Sequence, residues 1–153
     1  MSAAPFDVRV IQARLQAQVP EFRKVGLAAD FAEVEKLRGF TAPAAYVLLA
    51  AEKGEPRSPG HAPRGQQVKH RQMVHAFFGV ALVARNYRAG DVTNEISDDL
   101  KTLLAKTRKA VIGFVPDVDG GRACEFVEGE LRDQDASTAL WLEVYATQHS
   151  IGN

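Results

Sequence analysis

Four histidines, one cysteine and a run of carboxylates are the residues of this 153-residue chain whose types could do chemistry. His70 and His75 invite a metal site, but on a strand a spacing of five residues sends the two side chains to opposite faces, where they cannot ligate one ion. His61 falls in a Pro/Gly-rich stretch and His149 near the end of the sequence, neither with carboxylates at a spacing that builds a site. Cys124 is alone, which excludes an internal disulfide and a cysteine-based zinc site. It opens a half-buried strand and carries no local signature, so an inert thiol is expected there rather than a nucleophile. The sequence holds no G-x-S-x-G elbow and no Walker-type or Rossmann glycine pattern, and "DGG" at 119–121 reads as a turn. The acids Glu125, Glu128, Glu130, Asp133 and Asp135 remain. Glu128 and Glu130 share a strand face, yet catalytic carboxylates usually approach each other from different elements across a cleft. A solvated hairpin face is the plainer reading, with deterrence of edge pairing or repulsion of DNA in a channel as further roles. No enzyme activity, metal or cofactor is expected.

Cations gather elsewhere. The stretch "EKGEPRSPGHAPRGQQVKH", Glu52 to His70, holds three prolines and three glycines between Gly54 and Gly65, with Arg57 and Arg64 among them and Lys69 and Arg71 just beyond. Such a segment continues neither a helix nor a strand, because Pro removes donors and fixes φ while Gly costs backbone entropy. It reads as a flexible loop over about 53–67. No stacking aromatics interleave with its cations and the net charge of the chain is zero, so sequence-specific nucleic-acid binding is not expected. A loop that orders against a protein partner is. Residues 1–90 carry 13 Lys/Arg against 7 Asp/Glu, and residues 91–153 carry 6 against 12. Either the two sets interleave in the fold and cancel, or the molecule has a basic and an acidic side, which suits head-to-tail association of identical copies.

The elements that must position these groups follow from periodicity. Val8, Ile11, Leu15 and Val19 recur at helical spacing between Phe6 and Val19, with Asp7 at the start and Pro20 as the stop. A short helix is expected from about Asp30 to Leu37. "PAAYVLLAAE" reads as a strand covered on both faces, and "QQVKHRQMVHAFFGVALVARN" as a long second strand whose first part protrudes beyond the core. Gly79 is expected to mark a bulge. "GDVTNEISDDLKTLLAKTRKAVIGF" is the clearest helix: Asp91 or Thr93 caps it, and Ile96, Leu100, Leu103, Leu104, Thr107 and Val111 form its buried face. "ACEFVEGELRD" and "STALWLEVYATQ" alternate as strands around the turn "DQDAS", a hairpin.

Paired strands flanked by helices predict one α+β domain over 1–153, a mostly antiparallel four-stranded sheet with two main helices on one face. Charged and apolar fractions of 25% and 46% are those of an ordinary globular protein. No apolar run approaches the length of a membrane span, and "MSAAPFDVRV" lacks the apolar centre of a signal peptide, so no membrane association is expected. A reducing, cytoplasmic setting fits the single cysteine.

The succession of elements, with "PAAYVLLAAE", the Pro/Gly-rich loop, "DVTNEISDDLKTLLAKTRKAVIGFVPD" and the closing "FVEGELRDQDASTALWLEVYAT", resembles the tail terminator (tail completion) proteins of long-tailed bacteriophages, including the lambda-U-type minor tail proteins. "GFVP" after the long helix and the Trp-bearing last strand ending "YAT" carry most of the likeness. The resemblance covers nearly the whole chain. It implies a structural virion protein, assembled in the host cytoplasm, that forms a homo-oligomeric, typically hexameric, ring on the tail tube. The ring ends polymerisation of the tube protein, faces the head–tail connector and lets DNA pass. It also implies that the loop settles on assembly. By position and charge, Arg57, Arg64, Lys69 and Arg71 are the expected subunit or partner contacts, and Glu128 and Glu130 the expected interface or lumen residues. A head–tail joining protein of the same virion, or a small non-viral binding domain with residues 54–66 as a lid over an apolar pocket, are the alternatives.

Overall fold

A computed structural model describes residues 2–34, 36, 39–58, 60–85 and 97–153. The elements in chain order are α1 (Arg9–Gln18), β1 (Lys24–Leu27), α2 (Ala28–Ala32), β2 (Ala44–Gly54), β3 (Arg71–Arg85), α3 (Asp98–Val111), β4 (Glu125–Gln134) and β5 (Thr138–Gly152). The strands form one five-stranded sheet of order β1-β2-β3-β5-β4. Every pairing is antiparallel except β1 with β2. The fold is therefore the α+β, mostly antiparallel one read from the sequence, with one strand more than the four expected. The added strand is "KVGL", too short to carry a period-2 signal.

Helices α1 and α3 cover one face, as expected. Ile11, Leu15 and Val19 meet Leu100, Leu103, Leu104 and Val111 over Ala45, Val47, Phe78, Val80, Leu82 and Tyr145. The stripe positions chosen from periodicity are these, and Thr107 is buried with them. The other face is covered in part by Phe31 of α2, Phe40 and Tyr46, whose rings lie 5.3–5.6 Å apart over Ala44, Ala81 and Val83. Residues Ala44 to Val47 are consequently buried on both sides, which explains their unbroken apolarity.

Local signals account for the ends of most elements. Asp7 stands just ahead of α1 and accepts the Arg9 backbone N–H at 3.0 Å. The Ser97 hydroxyl caps α3 by accepting the Leu100 N–H at 3.2 Å. Asp91, Thr93 and Ile96, expected as caps and core of that helix, lie outside the described residues, as do Glu35 and Leu37 of the expected short helix, which spans Ala28–Ala32. Gly113 ends α3 with φ +83°, a conformation that side chains with a Cβ rarely adopt. The β4–β5 turn closes on Asp135 Oδ1, which accepts the N–H groups of Ser137 and Thr138 at 2.7 and 2.8 Å.

The expected bulge at Gly79 is absent: Gly79 pairs in register with Leu48 and Val144. The slip on this side of the sheet lies in β2, between Leu49 and Ala51. Strand β3 begins at Arg71 rather than in the Gln66 region, so Gln66 to His70 belong to the loop. Phe78 is fully buried and stacks between Phe6 and Tyr145 at 5.9 and 5.6 Å. Truncation of Phe78 to Ala should cost about 3–5 kcal/mol in urea unfolding, whereas Leu49→Ala, at an exposed position, should cost under about 1 kcal/mol.

Candidate functional site

The hairpin loop joining β2 to β3 leaves the sheet at the end where Arg71 pairs with Gly152. Its base is tied to its own chain. Asn153 Oδ1 accepts the His70 N–H at 2.7 Å, its Nδ2 donates to Val68 O at 2.9 Å, and Gly152 N–H reaches Ser2 O at 3.0 Å. Arg57 donates to the Arg71 carbonyl, and the Arg71 guanidinium donates to Ser150 Oγ at 3.1 Å. Arg57 and Arg71 thus gather at the loop base. Arg64 and Lys69 are exposed and make no ion pair among the described residues.

Two histidines anchor this end. His149, buried on β5, holds Glu52 Oε2 at 2.6 Å, and His75 on β3 holds Glu55 Oε1 at 2.7 Å. Sequence spacing offered no carboxylate partner for either, because these partners arrive across the sheet, the first from 97 residues away. His70 lies before β3 and contributes only backbone. Among the described residues, no three His, Cys, Asp or Glu side chains are placed to hold one metal ion.

The acidic site lies on β4. Its register slips twice, between Phe126 and Glu128 and between Leu131 and Asp133, leaving Val127 and Arg132 unpaired. The slips re-aim the strand. Glu125, Glu128, Glu130 and Asp133 stand opposite Ala146, Val144, Leu142 and Leu140, on the face away from α1 and α3. Phe126, Gly129 and Leu131 stand opposite Tyr145, Glu143 and Trp141, on the helix face. Glu128 and Glu130 do share a face, as expected. Phe126 does not share it, contrary to simple alternation, while Glu125 and Asp133 join it. Glu130 is paired with Arg132 at 2.7 Å, both exposed, and Glu128 has no such partner among the described residues.

Beneath β4 lies a charge that sequence reading missed. Glu143 is completely buried, and its Oε1 accepts from Arg108 Nε at 2.6 Å. Arg108 also covers the Phe126 ring, 4.6 Å from its centroid. A Cβ at position 129 would fall 2.6 Å from Glu143 Oε2 and 3.0 Å from Trp141 Nε1, so any side chain there would have to displace one of them. Four buried polar atoms, Thr107 Oγ1, Trp141 Nε1, Glu143 Oε2 and Tyr145 OH, find no hydrogen-bond partner among the described residues. All belong to α3 or β5.

Acid and base are well separated. Glu128 stands opposite Val144, eight residues along β5 from Gly152, the partner of Arg71, which is about 25 Å at strand rise. Glu128 and Arg71 are too far apart to form an ion pair within one copy. The cavity at the loop base, about 350 Å³, is lined by Glu55, Pro56, Arg57, Arg71 and Met73, charged groups set among apolar surface. None of the described helices is long and apolar enough to cross a membrane.

The fold is a mostly antiparallel sheet covered by helices on one side, with charged groups at one end and along one edge. The family model for the phage tail terminator protein matches residues 1–153, the whole chain, and the chain belongs to that family. It is accordingly a structural component of the bacteriophage tail and of the virion, a role that involves other tail or virion components. A comparison with curated proteins found no match.

Two expectations follow. Arg108→Ala leaves Glu143 buried without its partner and should cost about 3–5 kcal/mol in urea unfolding, most of it recovered by adding Glu143→Leu. Burial pushes the Cys124 thiol up to about 11, with a weaker opposing hydrogen bond from Thr147. At pH 8 that leaves about a hundredfold less thiolate than in the unfolded chain, so a thiol reagent should modify Cys124 slowly until denaturant is added. Because the folded value is raised, the contribution of this group is complete below pH 9.0 and fades as pH climbs towards 11.

Proposed function

We propose that copies of this chain join head to tail into a hexameric ring on the end of the tail tube, stopping addition of tube protein and offering the head–tail connector its docking surface. The observation that carries this reading is the separation, within one copy, of the acidic face of β4 from the basic loop at the far end of β3. Patches of opposite sign set apart in one copy suit a heterologous contact, in which each copy uses both, and such contacts give a ring when the rotation between copies closes. Arg57, Arg64, Lys69 and Arg71 then serve as contacts on one side of each subunit, and Glu128 and Glu130 at the acidic interface or towards the lumen through which DNA passes. Assembly takes place in the host cytoplasm, and the loop over 53–67 settles as subunits meet. A lidded binder would use the cavity at the loop base instead. A head–tail joining role would use the same two patches.

Light scattering after size exclusion, over a concentration series with and without purified tail tubes, tests the ring. Six chains of 16.7 kDa should give about 100 kDa at high concentration or on tube ends, and removal of residues 55–65 should weaken the association. A chain that stays at 16.7 kDa in both settings would overturn the proposal.

A further inference from the structure

The last rungs at the loop end of β3 are made by side chains. Arg71 pairs with Gly152, so the next rung of that ladder joins His70 to Asn153. Half of it is ordinary: the Asn153 N–H donates to His70 O at 3.4 Å. The returning bond, from the His70 N–H, goes to the Asn153 side-chain Oδ1 at 2.7 Å in place of a main-chain carbonyl. Nδ2 of the same carboxamide donates to Val68 O at 2.9 Å, the acceptor that a further rung would use. One side chain thus supplies an acceptor and a donor where main chain would otherwise be needed.

The opposite edge of the same stretch is finished in the same manner. The β2–β3 ladder closes at Gly54–Val74, and the Glu55 N–H adds a bond to Met73 O at 2.8 Å. Pro56 follows and has no N–H to donate. Continued register brings Arg57 opposite Arg71, and it is the Arg57 guanidinium that donates to the Arg71 carbonyl. Residues 68–71 are therefore bracketed from both sides as a continuation of β3. Lys69 stands within this stretch, exposed and without an ion pair among the described residues. Nearer the tip the chain turns, with the Gln66 N–H on Pro63 O at 3.1 Å and Gly65 at φ +83°.

We propose that Asn153 is a positioning residue for the subunit contact. Its carboxamide holds Val68 to His70 in line with β3 and so presents Lys69 to a neighbouring copy in one orientation before the rest of the loop settles. A cation held in place beforehand loses less conformational freedom when the contact forms than one on a free chain. The proposal rests on the ring reading, and within it Asn153 acts through the main chain of Val68 and His70.

Residue-resolved amide exchange on the unassembled chain tests the hold, and light scattering of the full chain, with and without purified tail tubes, tests what the hold does. In Asn153→Ala the His70 amide should exchange about tenfold faster, with the mid-ladder Phe78 amide and the urea midpoint unchanged. The concentration for half-assembly should rise about tenfold in the same variant. A urea midpoint that falls together with assembly would mark a merely structural role and overturn the positioning. A His70 amide that exchanges equally fast in both proteins would overturn the hold and leave the ring standing. Assembly at the same concentration in both, with His70 released in the variant, would overturn the positioning and again leave the ring standing. An unaltered chain that stays monomeric with tubes present would overturn the ring and the positioning together.

Discussion

The ladder between β3 and β5 runs unbroken through fifteen residue pairs, from Arg71–Gly152 to Arg85–Thr138, and every other element hangs on it. Because side chains alternate strictly along an in-register pair, the ladder divides the molecule into two faces. Phe78, Val80 and Leu82 of β3, with Tyr145 of β5, look towards α1 and α3, while Ala81, Val83, Leu140 and Leu142 look towards Phe40 and Tyr46. A slip of one residue would exchange these sets and expose both cores. The ladder also sets where the loop emerges, since Asn153 extends it by one residue and grips Val68 and His70.

Outside the ladder the sheet is asymmetric. The β2 side ends in the short, parallel, side-chain-capped β1. The β5 side ends in the long, twice-bulged β4. The bulges keep four acids on one face and still return Phe126 and Leu131 to the other, where Phe126 lies under Arg108. Cations collect instead at the hairpin end, beyond the last ladder pair. Acidic groups on β4 and cations at the hairpin end are thereby placed apart along one sheet.

The helix face of β5 is unusual in being polar along much of its length: Glu143, Thr147 and His149 are all buried there. Each finds a partner from another element. Arg108 of α3 meets Glu143, Thr147 donates to Arg122 O at 2.6 Å, and Glu52 of β2 meets His149. A buried charge removed from water is tolerated when a counter-charge and hydrogen bonds compensate it.

Much of this was legible in the sequence because it depends on neighbours along the chain. Helical spacing marked the buried stripes of α1 and α3, Pro and Gly marked the loop, and Asp135 with Ser137 marked the β4–β5 turn, all through forces acting within a few residues. The shared face of Glu128 and Glu130 followed from alternation over a short unslipped stretch. Only the tertiary structure decided the rest. Strand β1 is four residues long and exists because β2 offers it an edge. The bulges at Val127 and Arg132 arise from fitting β4 to β5, and they overturn alternation for Phe126 and Asp133. Glu143 and His149 became buried ionisable groups because Arg108 and Glu52 reach them across the fold, from 35 and 97 residues away. Period and composition are properties of a segment, whereas register, edge exposure and the distance between charged patches are properties of how segments meet, and a sequence read segment by segment does not contain them.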